Sequence, residues 1–163
     1  MRTMADPRHT SPDHPALQRA RQAVIDIGSN SVRLVVYDGP RRAPFPICNE
    51  KALCGLGRDM TDDGRLNPKA VDGALEVLAR FKCLLSELGD PLTLTVATAA
   101  VREARDGPQF VERIRALGLP VDVIGGGEEA TLASYGVVSF EPGAGGLVGD
   151  MGGGSLELIS LKE

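Results

Sequence analysis

The sequence predicts a mixed α/β protein. Three observations carry that prediction: short apolar runs that read as strands, helical stripes placed between them, and a strand–turn–strand segment that recurs near the far end. Ala23-Val24-Ile25-Asp26-Ile27 is the first strand and Val32 to Tyr37 the second. The short turn Gly28-Ser29-Asn30-Ser31 joins them, so the two must run antiparallel. A third strand, more weakly patterned, lies between Phe45 and Leu56. Pro68 to Leu88 reads as a helix. Asn67 is its N-cap, Pro68 its first residue, and Val71, Leu75, Leu78, Phe81, Leu85 and Leu88 form one apolar stripe. Gly89 ends it. Cys83 is expected to be a small core residue on this helix.

Leu92 to Ala97 is the next strand, entering a turn at Thr98-Ala99-Ala100. Asp106-Gly107-Pro108 opens a helix with Phe110, Ile114 and Leu117 on one side and Gly118 as its stop. Pro120 to Ile124 reads as a strand, and Gly125-Gly126-Gly127 leads into a helix beginning near Glu128. After a linker, Leu147 to Met151 and Leu156 to Leu161 are strands around the turn Gly152-Gly153-Gly154. Strands alternating with helices after an antiparallel start argue for a mixed sheet.

The bulk numbers bound the function. The 163 residues are 42% hydrophobic and 25% charged, with a formal net charge of -4. Nothing in that balance marks a nucleic-acid binder. No apolar stretch is long enough to span a membrane, and the first residues lack the apolar core of a secretion signal. Cys48, Cys54 and Cys83 form no metal-binding spacing, which fits reduced thiols and a cytoplasmic protein. Residues 1–21, with His9 and His14, read as a disordered leader.

Val24 to Val35 and Val148 to Ile159 align without gaps, with Asp, Gly, Ser and Leu coinciding. Each copy runs strand, Asp, glycine turn, strand. The spacing is too long for a solenoid and suggests two related domains. The expected organisation is a first domain over residues 22–141, then the opening hairpin of a truncated second domain over 145–163. The exposed edge of such a hairpin invites pairing with another copy, hence a homodimer.

Glycine turns let backbone N–H groups converge on a phosphate. Gly28, Ser29, Asn30 and Ser31 form one candidate cradle, and Gly152, Gly153, Gly154 and Ser155 the other. Asp26 and Asp150 precede these turns, which makes sense beside a phosphate if Mg²⁺ lies between. Either turn alone would equally suit an ordinary hairpin with a solvated Asp; the repeat favours the phosphate reading. Glu157 stands where the first copy has Arg33. Glu128 or Glu129, at a helix start, could orient or deprotonate an attacking water. Arg102, after a strand end, suits a bidentate phosphate contact, with Arg33 and Arg105 weaker candidates.

Four motifs in order resemble the exopolyphosphatase and guanosine pentaphosphate phosphatase (Ppx/GppA) family. They are Asp26-Ile27-Gly28-Ser29-Asn30-Ser31, Ala97-Thr98-Ala99-Ala100-Val101-Arg102, Gly126-Gly127-Glu128-Glu129-Ala130, and Asp150-Met151-Gly152-Gly153-Gly154-Ser155-Leu156-Glu157. The resemblance implies an actin-like ATPase (ribonuclease H-like) fold. It implies Mg²⁺-dependent hydrolysis of a terminal phosphoanhydride in polyphosphate or guanosine pentaphosphate. By position, Glu129 resembles the catalytic base. Asp150 and Glu157 resemble an acidic pair that holds metal and water, and Arg102 a phosphate contact. Leu156 departs from the family's usual Thr, Gly125 from a frequent Ser, and Cys54-Gly55-Leu56-Gly57 from an Arg-containing stretch. Two other readings share parts of the pattern: an acetate- or sugar-kinase-like phosphotransferase, and a non-enzymatic fragment that binds phosphate or self-associates. A chain with most of a second domain missing is expected to turn over poorly.

Overall fold

The alternation of β-branched and polar residues in the first two strands places one row of side chains on each face of a sheet. In the computed structural model, which describes residues 21–40, 43–58, 60–61 and 63–161, that row becomes the core. β1 (Gln22–Ile27) and β2 (Ser31–Asp38) bury Ala23, Ile25, Ile27, Val32, Leu34 and Val36. They pair antiparallel, with Ile27 opposite Val32 and Asp26 opposite Arg33. β3 (Phe45–Leu53) extends the sheet beside β2, while β4 (Leu92–Ala97) lies parallel to β1 and β5 (Asp122–Val123) parallel to β4. The order is β3-β2-β1-β4-β5.

α1 (Pro68–Glu87) lies over the core with Val71, Ala74, Leu78, Phe81 and Leu85 buried. The Asn67 side chain accepts a hydrogen bond from the Lys69 N–H at 2.9 Å, supplying one orphan donor of the first turn. Gly89, at φ 87°, takes the left-handed position that ends the helix. Full burial of Phe81 contributes about 1.5–3 kcal/mol. Cys83, expected in the core, is exposed. It lies two residues past Phe81, about 200° around the helix, on the solvent side.

Three further expectations shift. Thr98-Ala99-Ala100 does not form an open turn but begins α2 (Ala99–Glu103), because Ala99, Ala100 and Val101 are buried. β5 is shorter than the apolar run from Pro120 to Ile124. Pro120 has no N–H for a ladder, and only Asp122 and Val123 pair. α4 (Gly126–Phe140) starts earlier than Glu128, with Gly125 as its N-cap and two glycines in its first turn. α3 (Gly107–Ala116) closes the core with Phe110, Val111 and Ile114.

β6 (Gly146–Met151) and β7 (Leu156–Leu161) form a separate two-stranded sheet that packs against α4. Its outer face presents Leu147, Met151, Leu156 and Leu158 to solvent. The expected leader and its histidines lie outside the described residues. Arg21, at the end of that leader, is placed: its carbonyl accepts from the Leu92 N–H and its guanidinium pairs with Asp38 at 2.9 Å. No helix among the described residues is long and apolar enough to cross a membrane.

Candidate active site

The repeat seen in the sequence is a repeat in geometry. The Gly28 N–H donates to the Ser31 carbonyl at 3.0 Å, and the Gly152 N–H to the Ser155 carbonyl at 3.0 Å. Asp26 stands opposite Arg33 in one hairpin, and Asp150 opposite Glu157 in the other. Both turns therefore have the same closing bond and the same register.

The two turns meet. A Cβ added to Gly153 would lie 2.8 Å from the Asn30 Cβ, and one added to Gly154 would lie 2.8 Å from the Ser29 Oγ. At Gly153, where the Asn30 backbone N also lies 3.2 Å away, only glycine permits that approach; at Gly154 the Ser29 hydroxyl could turn aside. Between the turns is a cavity of about 150 Å³, lined by Asp26, Gly28, Ser29, Asn30, Ser31, Thr98, Glu129, Asp150, Gly152, Gly153 and Ser155. Segments far apart in the chain thus converge on one cavity.

Glu129 enters this cavity from the first turn of α4. Its side chain is 16% exposed, and the Arg102 Nη1 lies 3.2 Å from its Oε2. Glu128, its neighbour, is exposed. Burial raises the Glu129 carboxyl above its ordinary value. The Arg102 hydrogen bond opposes this, and the charges of Glu157 and Asp150 add to the rise. Glu157 brings a buried Oε2 that has no hydrogen-bond partner.

Arg102 occupies a different place from the one its motif suggests. It is not among the residues lining the cavity. Its Nη1 also donates to the Ile124 carbonyl at 2.9 Å, so it sits behind Glu129 and holds it. Arg33 projects from β2 and donates to the Asn49 Oδ1 at 3.0 Å. Gly154 approaches Ser29 without lining the cavity, and Glu157, whose charge acts on Glu129, is likewise not in the lining. Thr98 was missed as a site residue. It is buried at the end of β4, its N–H donates to the Ile27 carbonyl at 3.2 Å, and its side chain makes no helix-cap bond. The available signal was its position at the carboxyl end of a parallel strand, where open α/β sheets place ligand contacts.

The carboxylates crowd one another. Burial raises the Asp26 carboxyl, the Asp150 charge raises it further, and Arg33 and Lys51 oppose both. No group of three or more His, Cys, Asp or Glu among the described residues is placed to hold a metal ion. Asp26, Asp150 and Glu157 are therefore not gathered here as a three-ligand cage. The repulsion between Asp26 and Asp150 and the orphaned Glu157 oxygen fit a Mg²⁺ taken by one or two carboxylates together with substrate phosphates.

This crowding gives a stability prediction. The Asp26 carboxyl is raised in the folded state, so its proton is held more firmly there than in the unfolded chain. Its cost is absent well below pH 3.8, its ordinary value, and develops as pH rises through the folded-state value. Asp26→Asn is expected to stabilise the chain at pH 7 by a few tenths to about 1 kcal/mol, solvent access at Asp26 keeping the gain small. The gain should fade on acidification. Denaturant titrations at pH 7 and pH 4 check both parts.

Comparison with known proteins agrees with this geometry. Residues 35–163 match the Ppx/GppA phosphatase family. The chain belongs to that family. The first turn lies before the matched stretch, so its equivalence to the second turn rests on the shared register. Among solved structures, an exopolyphosphatase from Cytophaga hutchinsonii is 34% identical with a TM-score of 0.80, over 86% of this chain and 46% of that one. The Aquifex aeolicus PPX-GPPA enzyme is 34% identical with a TM-score of 0.79, over 88% of this chain and 48% of that one. The fold is that of the actin-like ATPases, and the chain spans about half the length of these relatives.

Proposed function

We propose that this chain supplies one wall and the phosphate cradle of a phosphohydrolase acting on the terminal phosphoanhydride of inorganic polyphosphate or guanosine pentaphosphate. The observation that carries this reading is the meeting of the two Asp–glycine–Ser turns in a cavity that also holds Glu129. The backbone N–H groups and hydroxyls of the turns suit the oxygens of the phosphoryl group being transferred.

Glu129 takes a proton from the attacking water, whose oxygen bonds to the terminal phosphorus. The bridging P–O bond breaks, and its oxygen keeps the electron pair and departs as the new terminal oxygen of the shortened chain. A carboxylate raised by burial is a stronger base near neutral pH than an exposed one. Arg102 keeps that carboxylate aimed. Asp26, Asp150 and Glu157 are the residues that would hold Mg²⁺, which when bound neutralises charge between phosphate oxygens and carboxylates. The Ppx/GppA match and an exopolyphosphatase neighbour support this class of reaction.

The test is phosphate release with Mg²⁺, from polyphosphate and separately from guanosine pentaphosphate, alongside binding of each. Turnover by this chain alone is expected to be slow, because positioning supplies much of the rate in phosphoryl transfer. Binding of at least one substrate, with any release lost in Glu129→Gln, is the expected result. Binding of neither would overturn the reading. Transfer that requires an added acceptor would turn it toward a kinase.

A further inference from the structure

The Cys54-Gly55-Leu56-Gly57 stretch does not line the cavity between the turns, yet three of its N–H groups grip the first turn from behind. The Cys54 and Gly55 N–H groups donate to the Asn30 carbonyl at 3.1 Å and 2.9 Å, and the Gly57 N–H donates to the Ser29 carbonyl at 2.7 Å. Gly55, at φ 66°, takes a left-handed conformation that lets two successive N–H groups converge on one oxygen. The Arg58 N–H closes this hook on the Gly55 carbonyl at 2.9 Å, and Leu56, fully buried, anchors it in the core. Gly57 is wedged behind the turn: a Cβ there would lie 3.0 Å from the Ser29 Cβ and 3.5 Å from the Ala100 Cβ.

A trans peptide is planar, and its carbonyl and N–H point opposite ways. Tying the Ser29 carbonyl to Gly57 therefore fixes the direction of the Asn30 N–H. Tying the Asn30 carbonyl to Cys54 and Gly55 fixes that of the Ser31 N–H. Both carbonyls are drawn to the hook, so both N–H groups are turned away from it, at residues that line the cavity. The Asn30 N lies 3.2 Å from a Cβ placed on Gly153, so it faces the second turn. The bond from Cys54 to Asn30 also makes Ser31 and Leu53 a non-hydrogen-bonded pair, and the Ser31 N–H is not spent on β3. Among the described residues, neither N–H donates to a carbonyl of a turn or loop. The second turn has no such hook: among the described residues, no backbone N–H donates to its Gly153 or Gly154 carbonyl.

Resting on the phosphohydrolase reading, we infer that Gly57 is a positioning residue and that the hook it ends presets the first turn for phosphate. Through the Ser29 carbonyl, Gly57 aims the Asn30 N–H. Through the Asn30 carbonyl, Cys54 and Gly55 aim the Ser31 N–H. The hook itself touches no substrate. Donors aimed before the phosphate arrives need no reorganisation when it binds.

Amide NMR of the ¹⁵N-labelled 163-residue chain tests this, with Mg²⁺ and titrations of tripolyphosphate and of guanosine pentaphosphate. The Asn30 and Ser31 amide protons are expected to move downfield with whichever ligand binds. Gly57→Ala pushes Ser29 off its place and is expected to bind about tenfold more weakly, because charge-assisted bonds to the phosphate are lost. Its Asn30 and Ser31 signals should move less at saturation than those of the wild type. Gly118→Ala puts a side chain at φ 79° after α3, with nothing within 4 Å. It should lower the unfolding temperature at least as far as Gly57→Ala, yet keep the affinity within about twofold of wild type. Ligand that binds the wild type without moving either amide would overturn the positioning role and leave the phosphohydrolase reading intact, and that result stands even if Gly57→Ala does not fold. Wild-type affinity in Gly57→Ala would overturn it as well. So would an equal loss in Gly118→Ala, by showing a general effect of stability. A wild-type chain that binds neither ligand would overturn both readings together.

Discussion

Glu129→Gln is expected to slow phosphate release by about 10² or more while leaving substrate affinity nearly unchanged. The assay needs a complete cleft. Residues 22–161 joined after β7 to the remaining half of the Cytophaga hutchinsonii exopolyphosphatase provide one. Glutamine keeps the shape and can still accept from Arg102, so the α4 entry should persist. What it loses is basicity. Glu128→Gln is the matched control, because Glu128 begins the same helix but is exposed. It should change the rate less than about twofold. Near-normal turnover in Glu129→Gln would remove it from the base role, whatever its position in the cavity.

The second large effect concerns stability. Gly107→Ala is expected to cost about 3 kcal/mol. The new Cβ would collide with the Val101 carbonyl oxygen, and backbone cannot step aside as a flexible side chain can. Thermal unfolding should shift down by roughly 6–12 °C at this chain length. Gly73→Ala makes the opposite case. A Cβ there meets nothing within 4 Å, and the site is interior to α1, so the same substitution should stabilise by about 1 kcal/mol. Two alanines of opposite sign, read in one calorimetry series, separate close packing from helix propensity. If Gly107→Ala unfolds at the wild-type temperature, the α2–α3 junction is looser than this geometry requires. The substitution also reaches the site, because α2 carries Arg102 and Arg102 holds Glu129.

Much of the fold was legible locally. Asn67, Pro68 and Gly89 bracket α1 because capping and left-handed backbone are short-range effects. The turns at Gly28 and Gly152 were legible for the same reason, and their repeat was visible as an ungapped alignment. The errors fell where neighbours decide. Thr98-Ala99-Ala100 does carry a local helical signal, since alanine is the best helix former, but a helix of five residues is marginal alone and burial of Ala99, Ala100 and Val101 holds α2 in place. Cys83 sits on a well-predicted helix, but its side of that helix depends on where Phe81 points.

The candidate site divides in the same way. By itself the sequence determined which residue types are present in which order: an Asp before each glycine turn, an acidic pair opening α4, an arginine after β4. Those choices are written in turn chemistry and in the spacing of strands. Only the tertiary structure decided that the two turns touch through Gly153 and Asn30, that Glu129 rather than Glu128 enters the cavity, and that Arg102 faces Glu129 instead of lining the cradle. Each of these depends on the packing of β6–β7 and α4 beside the first sheet. Contacts between segments this far apart in the chain are set by packing and burial, which no local pattern of residues contains.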